Sequence, residues 1–154
     1  MKKIKSILFL EKKEGDSWVG IICENNLGEL KEYKWKIKFL KFKKVFIIFG
    51  VAPTDFDINS SSFENYGWYL YCHRDNTCSK LISGPPYNYS YKITNLNVAK
   101  EEIIVIMNMN KRTLKFIIDN VDKGESYTDI PIDKPIAPVI FLYNSNDSVE
   151  IIDL

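Results

Sequence analysis

The sequence is short of the residues that build several common functional sites. Its single histidine, His73, leaves few options for acid–base catalysis. Its 7 glycines never cluster, which excludes a glycine-rich phosphate-binding loop. No apolar run approaches the ~20 residues that a membrane-spanning helix needs. These absences argue against an enzyme of a recognisable type and against an integral membrane protein.

Cysteine is also scarce, and the count of 3 is odd, which does not suit a disulfide framework and fits a reducing cytosol. A zinc site from Cys72, His73 and Cys78 lacks the usual ligand spacing, and Cys23 would have to complete it. Cys72 and His73 are neighbours on an expected strand and point to opposite faces, so they are poorly placed to share a proton. We expect buried or bystander thiols, no metal or cofactor, and no catalysis.

The length of 154 residues suits one domain spanning residues 1–154, with about two-thirds of the unfolded surface buried. Residues 1–10 imitate a secretory signal, but their apolar run is short and charged residues follow at once. We therefore expect a cytoplasmic domain, monomeric when isolated, that does not bind a membrane.

The net charge of +1 hides a split, since residues 1–44 carry 12 lysines against 6 acidic residues and the remainder is acidic. Residues 34–44 interleave lysines with Trp35, Phe39 and Phe42. Period-two alternation sends these aromatic rings to the face opposite the lysines, which is wrong for a joint stacking and phosphate surface. We expect no nucleic-acid partner.

Short apolar or alternating runs separated by turn-forming residues dominate the chain. They fall at residues 4–10, 18–23, 33–40, 45–52, 67–72, 80–83, 103–109, 113–118, 126–130, 137–143 and 148–152. This spacing predicts an all-β sandwich or barrel, because a helical stripe is hard to find.

The pattern also predicts details of these strands. Trp35, Ile37 and Phe39 should face the core, and the slip in phase at Leu40 indicates a turn or bulge at 41–44. The continuously apolar runs 45–49 and 103–106 should be central strands covered on both faces. Hairpin turns are expected at 108–113 and 122–124, and long loops at 53–66 and 84–100.

Several short motifs then follow one another in an order that resembles the SPRY domain. They are Phe49-Gly50-Val51-Ala52, Tyr66-Gly67-Trp68, Met107-Asn108-Met109-Asn110 running into Thr113-Leu114-Lys115-Phe116, and Pro138-Val139-Ile140. The resemblance spans roughly residues 18–152 and implies a bent β-sandwich of two antiparallel sheets, with a concanavalin-like jelly roll. It also implies a non-catalytic module that binds a protein or short linear peptide through loops at one end of the sandwich.

The nearest variant is the SPRY domain of SPRY and SOCS box adaptors, which implies a binding tyrosine at Tyr89 or Tyr91, or at Tyr87 if loop lengths differ. A groove-lining tryptophan of the family falls on Asn144, or on Tyr143 if the register slips by one. We therefore expect residues 54–66, 85–91 and 143–147 to form one binding patch. Its candidate residues are Phe56, Asp57, Tyr66, Tyr87, Tyr89, Tyr91, Tyr143 and Asn144.

Two departures from the SPRY pattern bear on specificity. Asn108 and Asn110 replace acidic residues of the hairpin, and Lys111-Arg112 replaces its glycine, so a family peptide motif need not bind. The alternative function is a carbohydrate-binding module, since loops rich in Tyr, Asn and Asp can stack on sugars and hydrogen-bond to them.

Overall fold

A computed structural model describes residues 7–13, 15–23, 31–41, 46–55, 57, 59, 67–73, 77–81, 90–92, 102–118 and 120–154. For residues 7–10, 73, 77–81, 90–92, 121 and 123 it describes the backbone alone. The strands are β1 (Ile7–Glu11), β2 (Val19–Ile22), β3 (Glu32–Lys41), β4 (Ile47–Pro53), β5 (Trp68–His73), β6 (Thr77–Leu81), β7 (Ser90–Lys92), β8 (Glu102–Asn108), β9 (Thr113–Ile118), β10 (Val121–Tyr127), β11 (Ile136–Leu142) and β12 (Ser148–Asp153). Within these ranges there is no helix, and so none that is long and apolar enough to cross a membrane.

The first sheet has the strand order β1-β12-β3-β8-β9-β10, with antiparallel neighbours throughout. In β3, the side chains of Trp35, Ile37 and Phe39 are at most 2% exposed. The alternating lysines lie on the other face, where Lys36 pairs with Glu102 at 3.2 Å. The alternation predicted from the sequence is therefore confirmed: one face of β3 packs against the core and the other faces solvent.

The second sheet has the order β2-β11-β4-β5-β6-β7 and is also antiparallel. Strand β11 is buried along all 7 residues, and β4 along its first 6. The prediction that the 45–49 run is covered on both faces is thus confirmed for residues 47–49 of β4, whereas Phe46 is half-buried and residue 45 lies outside the described residues. Strand β8 differs, because Ile104 is only half-buried while Ile103 and Val105 beside it are buried.

The two sheets pack face to face around a shared apolar core. Phe49 of β4 and Phe116 of β9 meet edge-to-face across it, with ring centroids 5.6 Å apart. A second, smaller cluster lies on the opposite face of the second sheet and contains Ile48, Ala52, Tyr69, Val139 and Phe141. Strands whose inner and outer faces are both covered must be apolar at every position, which explains the uninterrupted apolar sequences of β4 and β11.

The phase slip at Leu40 is a β-bulge. Phe39 pairs with Val149 and Lys41 pairs with Ser148, so Leu40 is the extra residue of β3 at this point. Leu40 is 38% exposed. An extra residue reverses the face of the side chains that follow it in a strand, which agrees with the slip in phase that the sequence shows at Leu40. Of the turn or bulge expected at 41–44, residues 42–44 lie outside the described residues.

Three predictions of turns and strands need correction. The segment 122–124 is not a hairpin turn but lies inside β10, where the ladder shifts between Asp122 and Glu125. Gly124 has φ of 79° there, a conformation that glycine adopts without strain, so it allows the strand to form a β-bulge. The expected loop 84–100 contains β7, and in the confirmed 108–113 hairpin Arg112, rather than an asparagine, has the positive φ of 57°.

Candidate functional site

Four half-buried aromatic rings meet at one end of the second sheet and are called here the aromatic cluster: Trp18, Phe46, Tyr71 and Tyr143. The ring of Trp18 lies 5.1 Å from Tyr143 and 5.8 Å from Tyr71, centroid to centroid. The ring of Phe46 lies 5.3 Å from Tyr143 and 6.5 Å from Tyr71. These separations are typical of favourable ring pairs, so the four side chains support one another.

The strand register explains why these rings share one face. Phe141 of β11 pairs with Ile48 of β4, which pairs with Tyr71 of β5. Phe46 precedes Ile48 by two residues and Tyr143 follows Phe141 by two, so alternation places all of them on the outer face. Ile48 and Phe141 belong to the small apolar cluster on that face, which the aromatic cluster extends to the end of the sheet.

Backbone hydrogen bonds join the two connections that carry Trp18 and Tyr143. Ser17 N–H donates to the carbonyl of Tyr143 at 3.1 Å. Lys12 N–H donates to the carbonyl of Asp147 at 2.9 Å, and Asn146 N–H donates to the carbonyl of Lys12 at 2.8 Å. The β11–β12 connection is therefore fixed to the β1–β2 connection rather than left as an independent loop.

Side chains reinforce the same junction. The Oδ1 atom of Asp16 accepts a hydrogen bond from Ser145 N–H at 3.0 Å. The amide of Asn144 donates to Oδ2 of Asp147 at 3.2 Å, and both residues are buried, at 6% and 2% exposed. Buried polar groups with satisfied hydrogen bonds fix a unique geometry, so Tyr143 is held on a rigid base.

The structure places the site residues that were predicted from the sequence in different surroundings. Tyr143 joins the aromatic cluster, whereas the neighbouring Asn144 is buried and serves the connection beneath it. Asp57 is exposed, and its Oδ1 accepts the backbone N–H of Asn59 at 3.0 Å. The backbone of Tyr91 lies in β7 opposite Cys78. Four further candidates lie outside the described residues: Phe56, Tyr66, Tyr87 and Tyr89.

Most of 54–66 and 85–91 lies outside the described residues, so the expectation that these loops and 143–147 form one patch stays a prediction. The described residues next to the three loops are far apart. Pro53, from which the chain enters 54–66, pairs with Ile136 at the start of β11. Tyr143 follows the other end of this 7-residue strand, and residues rise by about 3.3 Å each along a strand, which separates the two ends by about 20 Å. Tyr91 lies near the Tyr143 end but four strands across, or about 19 Å away at the usual strand spacing.

The cysteine prediction is wrong for Cys72, which is disulfide-bonded in the structure. Cys23 is a free thiol, as expected, and it is buried. Burial, and to a lesser degree the nearby Asp153 carboxylate, raises the pKa of the Cys23 thiol to about 11. Cys23 is thus protonated and unreactive at neutral pH. The cytoplasmic location inferred from the odd cysteine count stays a prediction and loses this support.

Sequence reasoning missed Trp18, Phe46 and Tyr71 as site residues, although a signal was present. Trp18 stands immediately before β2, and Phe46 immediately before β4, as Tyr143 stands immediately after β11. Large rings at the ends of apolar strands mark positions where a buried face reaches solvent. Recognising them as one cluster required the strand order, which the sequence does not supply.

No protein-family model matches the sequence, and no curated protein is similar to it at a significant level. Solved structures are similar in fold. They include the PSpry domain of TRIM65 (TM-score 0.63, 10% identity, covering 86% of this chain and 69% of that one) and the SPRY domain of human HERC1 (TM-score 0.56, 17% identity, covering 92% and 85%). Stonustoxin is a third (TM-score 0.57, 12% identity, 86% of this chain), and the chain spans 21% of its length.

These similarities agree with the strand order and the face-to-face packing described above. The described part of the chain has two antiparallel sheets and no helix. SPRY domains are among the similar solved structures. The chain has the SPRY fold, a jelly-roll β-sandwich.

Proposed function

We propose that the chain is a non-catalytic protein-interaction module that binds its partner at the aromatic cluster. The observation that carries the proposal is the convergence of four half-buried rings, from four separate segments, on one end of the second sheet. Rings that are partly exposed and held rigidly provide contact area at low entropic cost. The SPRY fold supports this reading, because the family that the sequence resembles binds proteins through one end of its sandwich.

The structure favours Tyr143 over Asn144 as the anchor. Both positions were candidates for the groove-lining aromatic of the family, but Asn144 is buried and donates to Asp147, whereas the ring of Tyr143 is half-exposed. The finer proposal is that the cluster captures a short linear peptide, as in the SPRY and SOCS box adaptors. Most of the affinity would then come from a few aromatic contacts.

The test is selection from a displayed random-peptide library, followed by titration of the selected peptides against variants. Trp18→Ala and Tyr143→Ala should each weaken binding at least about tenfold, since buried aromatic anchors contribute on the order of 2 kcal/mol or more. The matched control is Ile132→Ser, which removes a 41% exposed apolar side chain from the β10–β11 connection at the other end of β11. Folded Trp18 and Tyr143 variants that bind every selected peptide at full strength would refute the proposal.

The tyrosine-rich segment is tested in the same titration as a separate surface. The triple variant of Tyr87, Tyr89 and Tyr91 to Ala should leave binding at the aromatic cluster intact, because β7 lies at the far edge of the sheet from β11. Loss of binding in the triple variant alone would move the site to this segment. Three further residues remain candidates: Phe56, Asp57 and Tyr66. Single alanine variants of each are titrated with the same peptides to measure their effect on affinity.

A carbohydrate partner is the alternative that the sequence raised. Sugar sites combine a stacking ring with polar side chains free to meet hydroxyl groups. Beside Tyr143, the Asn144 amide is buried and donates to Asp147, so it is not positioned for a sugar. Saturable binding on a glycan array, lost in Tyr143→Ala, would favour the carbohydrate alternative over a peptide.

A further inference from the structure

The disulfide at Cys72 has one available partner within the chain. Cys72 is 1% exposed and disulfide-bonded. The sequence contains 3 cysteines, and Cys23 is free. Cys23 follows β2, which is separated from β5 by β11 and β4 in the sheet. Cys78 is therefore the cysteine that remains.

The backbone supports the same assignment independently. Cys78 of β6 lies directly opposite Cys72 of β5 in the antiparallel ladder. Residues directly opposite in such a ladder have Cα atoms about 4.5 or 5.5 Å apart, depending on the hydrogen-bonding site. Both values lie within the range of about 4.4–6.8 Å that a disulfide needs. The bond requires no movement of the backbone.

We infer that Cys72 and Cys78 form a disulfide that locks the β6–β7 edge of the second sheet, so that the order of this edge depends on the redox state. Strand β6 has 5 residues, and β7, the edge strand, has 3. Short edge strands open more easily than central ones, and a covalent cross-link across their first hairpin suppresses that opening. The reduced chain keeps the central strands and loses protection at this edge.

The bond forms and breaks by thiol–disulfide exchange with a low-molecular-weight disulfide. One cysteine thiolate attacks that disulfide, giving a mixed disulfide and releasing one small thiolate. The second cysteine thiolate then attacks the mixed disulfide and releases the other. The protein loses two protons and two electrons, and the small disulfide is reduced to two thiols. A small dithiol reverses the reaction.

Reduction of the Cys72–Cys78 disulfide should also affect partner binding at the aromatic cluster. This consequence rests on the proposed function. Tyr71 precedes Cys72 on β5, the strand to which β6 is cross-linked. Loosening of the hairpin would disturb the ring that Trp18 and Phe46 contact. The experiments below use no partner, so they test the disulfide even if the proposed binding surface is wrong.

The first experiment counts thiols in the whole chain. The protein is equilibrated with a low-molecular-weight disulfide, unfolded with an alkylating reagent present, and weighed by mass spectrometry. Alkylation of Cys23 alone is expected, with a peptide pair linking Cys72 to Cys78, and alkylation of all three cysteines after reduction. Alkylation of all three without reduction, or a bond to Cys23, would overturn the inference.

The second experiment measures hydrogen exchange of backbone amides in both redox states. Amides of β6 should exchange at least about tenfold faster after reduction, while those of β4 and β11 stay protected. Cys23→Ser should preserve this redox difference, and Cys78→Ser should abolish it by fixing the fast state. Equal exchange of β6 in the oxidised and reduced wild-type chain would show that the bond locks nothing.

Discussion

The phenol of Tyr127, on the edge strand β10 of the first sheet, donates a 2.6 Å hydrogen bond to the backbone carbonyl of Tyr69 on β5 of the second sheet. Tyr127 is 6% exposed and Tyr69 is fully buried. This bond joins the two sheets directly, beside the apolar packing of the shared core. It also fixes the strand that supplies Tyr71 to the aromatic cluster.

Tyr127→Phe should destabilise the fold by about 1–2 kcal/mol, because it leaves the buried carbonyl of Tyr69 without this donor. The free energy of unfolding in urea measures the change. Tyr143→Phe is the matched control, since it removes a phenol from a half-exposed ring and should change stability by less than about 0.5 kcal/mol. Equal losses in the two variants would argue against the sheet-to-sheet bond.

Gly50 of β4 is required by the close approach of β5. A Cβ atom at this position would overlap the carbonyl oxygen of Trp68, which is backbone and cannot swing away. Gly50→Ala should therefore cost about 3 kcal/mol or prevent folding. Gly124→Ala is the control, because it has φ of 79° but open space around it, and should cost only about 1 kcal/mol in backbone strain. Thermal unfolding followed by circular dichroism compares them.

The sequence predicted the sandwich because its signals are local. The alternation around Trp35 and the uninterrupted apolar runs each follow from the faces of a single strand. The site was harder, because it depends on which strand ends lie together. Trp18 and Phe46 are 28 residues apart in the sequence and become neighbours only through the pairing of β2 and β4 with β11.

The disulfide shows the same limit. Cys72 and Cys78 looked like bystander thiols because an odd cysteine count is a property of the whole chain. Their pairing depends on one hairpin register, in which 73 opposes 77 and 72 opposes 78. The sequence pattern placed this strand at 80–83, whereas β6 begins at Thr77. Cys78 was therefore not assigned to the strand that pairs with Cys72. A three-residue error in one strand boundary thus hid a covalent link.

Ionisation of the buried Cys23 thiol should destabilise the fold at alkaline pH. Its pKa is raised from 9.0 to about 11, chiefly by burial. A group whose folded pKa lies above its unfolded value stabilises the fold fully below the unfolded pKa, and this contribution is lost as the pH rises through the folded value. The free energy of unfolding should fall between about pH 9 and 11 more steeply in the wild type than in Cys23→Ala. Parallel slopes would contradict the burial of this thiol.

The two aspartates that fix the base of Tyr143 should differ in energetic weight because they differ in burial. Asp147 is 2% exposed and accepts the Asn144 amide, whereas Asp16 is exposed and accepts the Ser145 N–H. Asp147→Ala removes the carboxylate that accepts from the buried Asn144 amide and should cost about 2–4 kcal/mol, against about 1 kcal/mol or less for Asp16→Ala.

Chemical denaturation of both variants measures this difference, with Asp147→Asn as the isosteric control. The substituted side chain in Asp147→Asn would keep an acceptor oxygen for the Asn144 amide and should recover part of the loss. If Asp147→Ala were no more costly than Asp16→Ala, the exposed Asp16–Ser145 hydrogen bond would hold the β11–β12 connection as firmly as the buried pair does. The buried amide–carboxylate pair would then add no more than that exposed bond to the rigidity that we assign to the anchor.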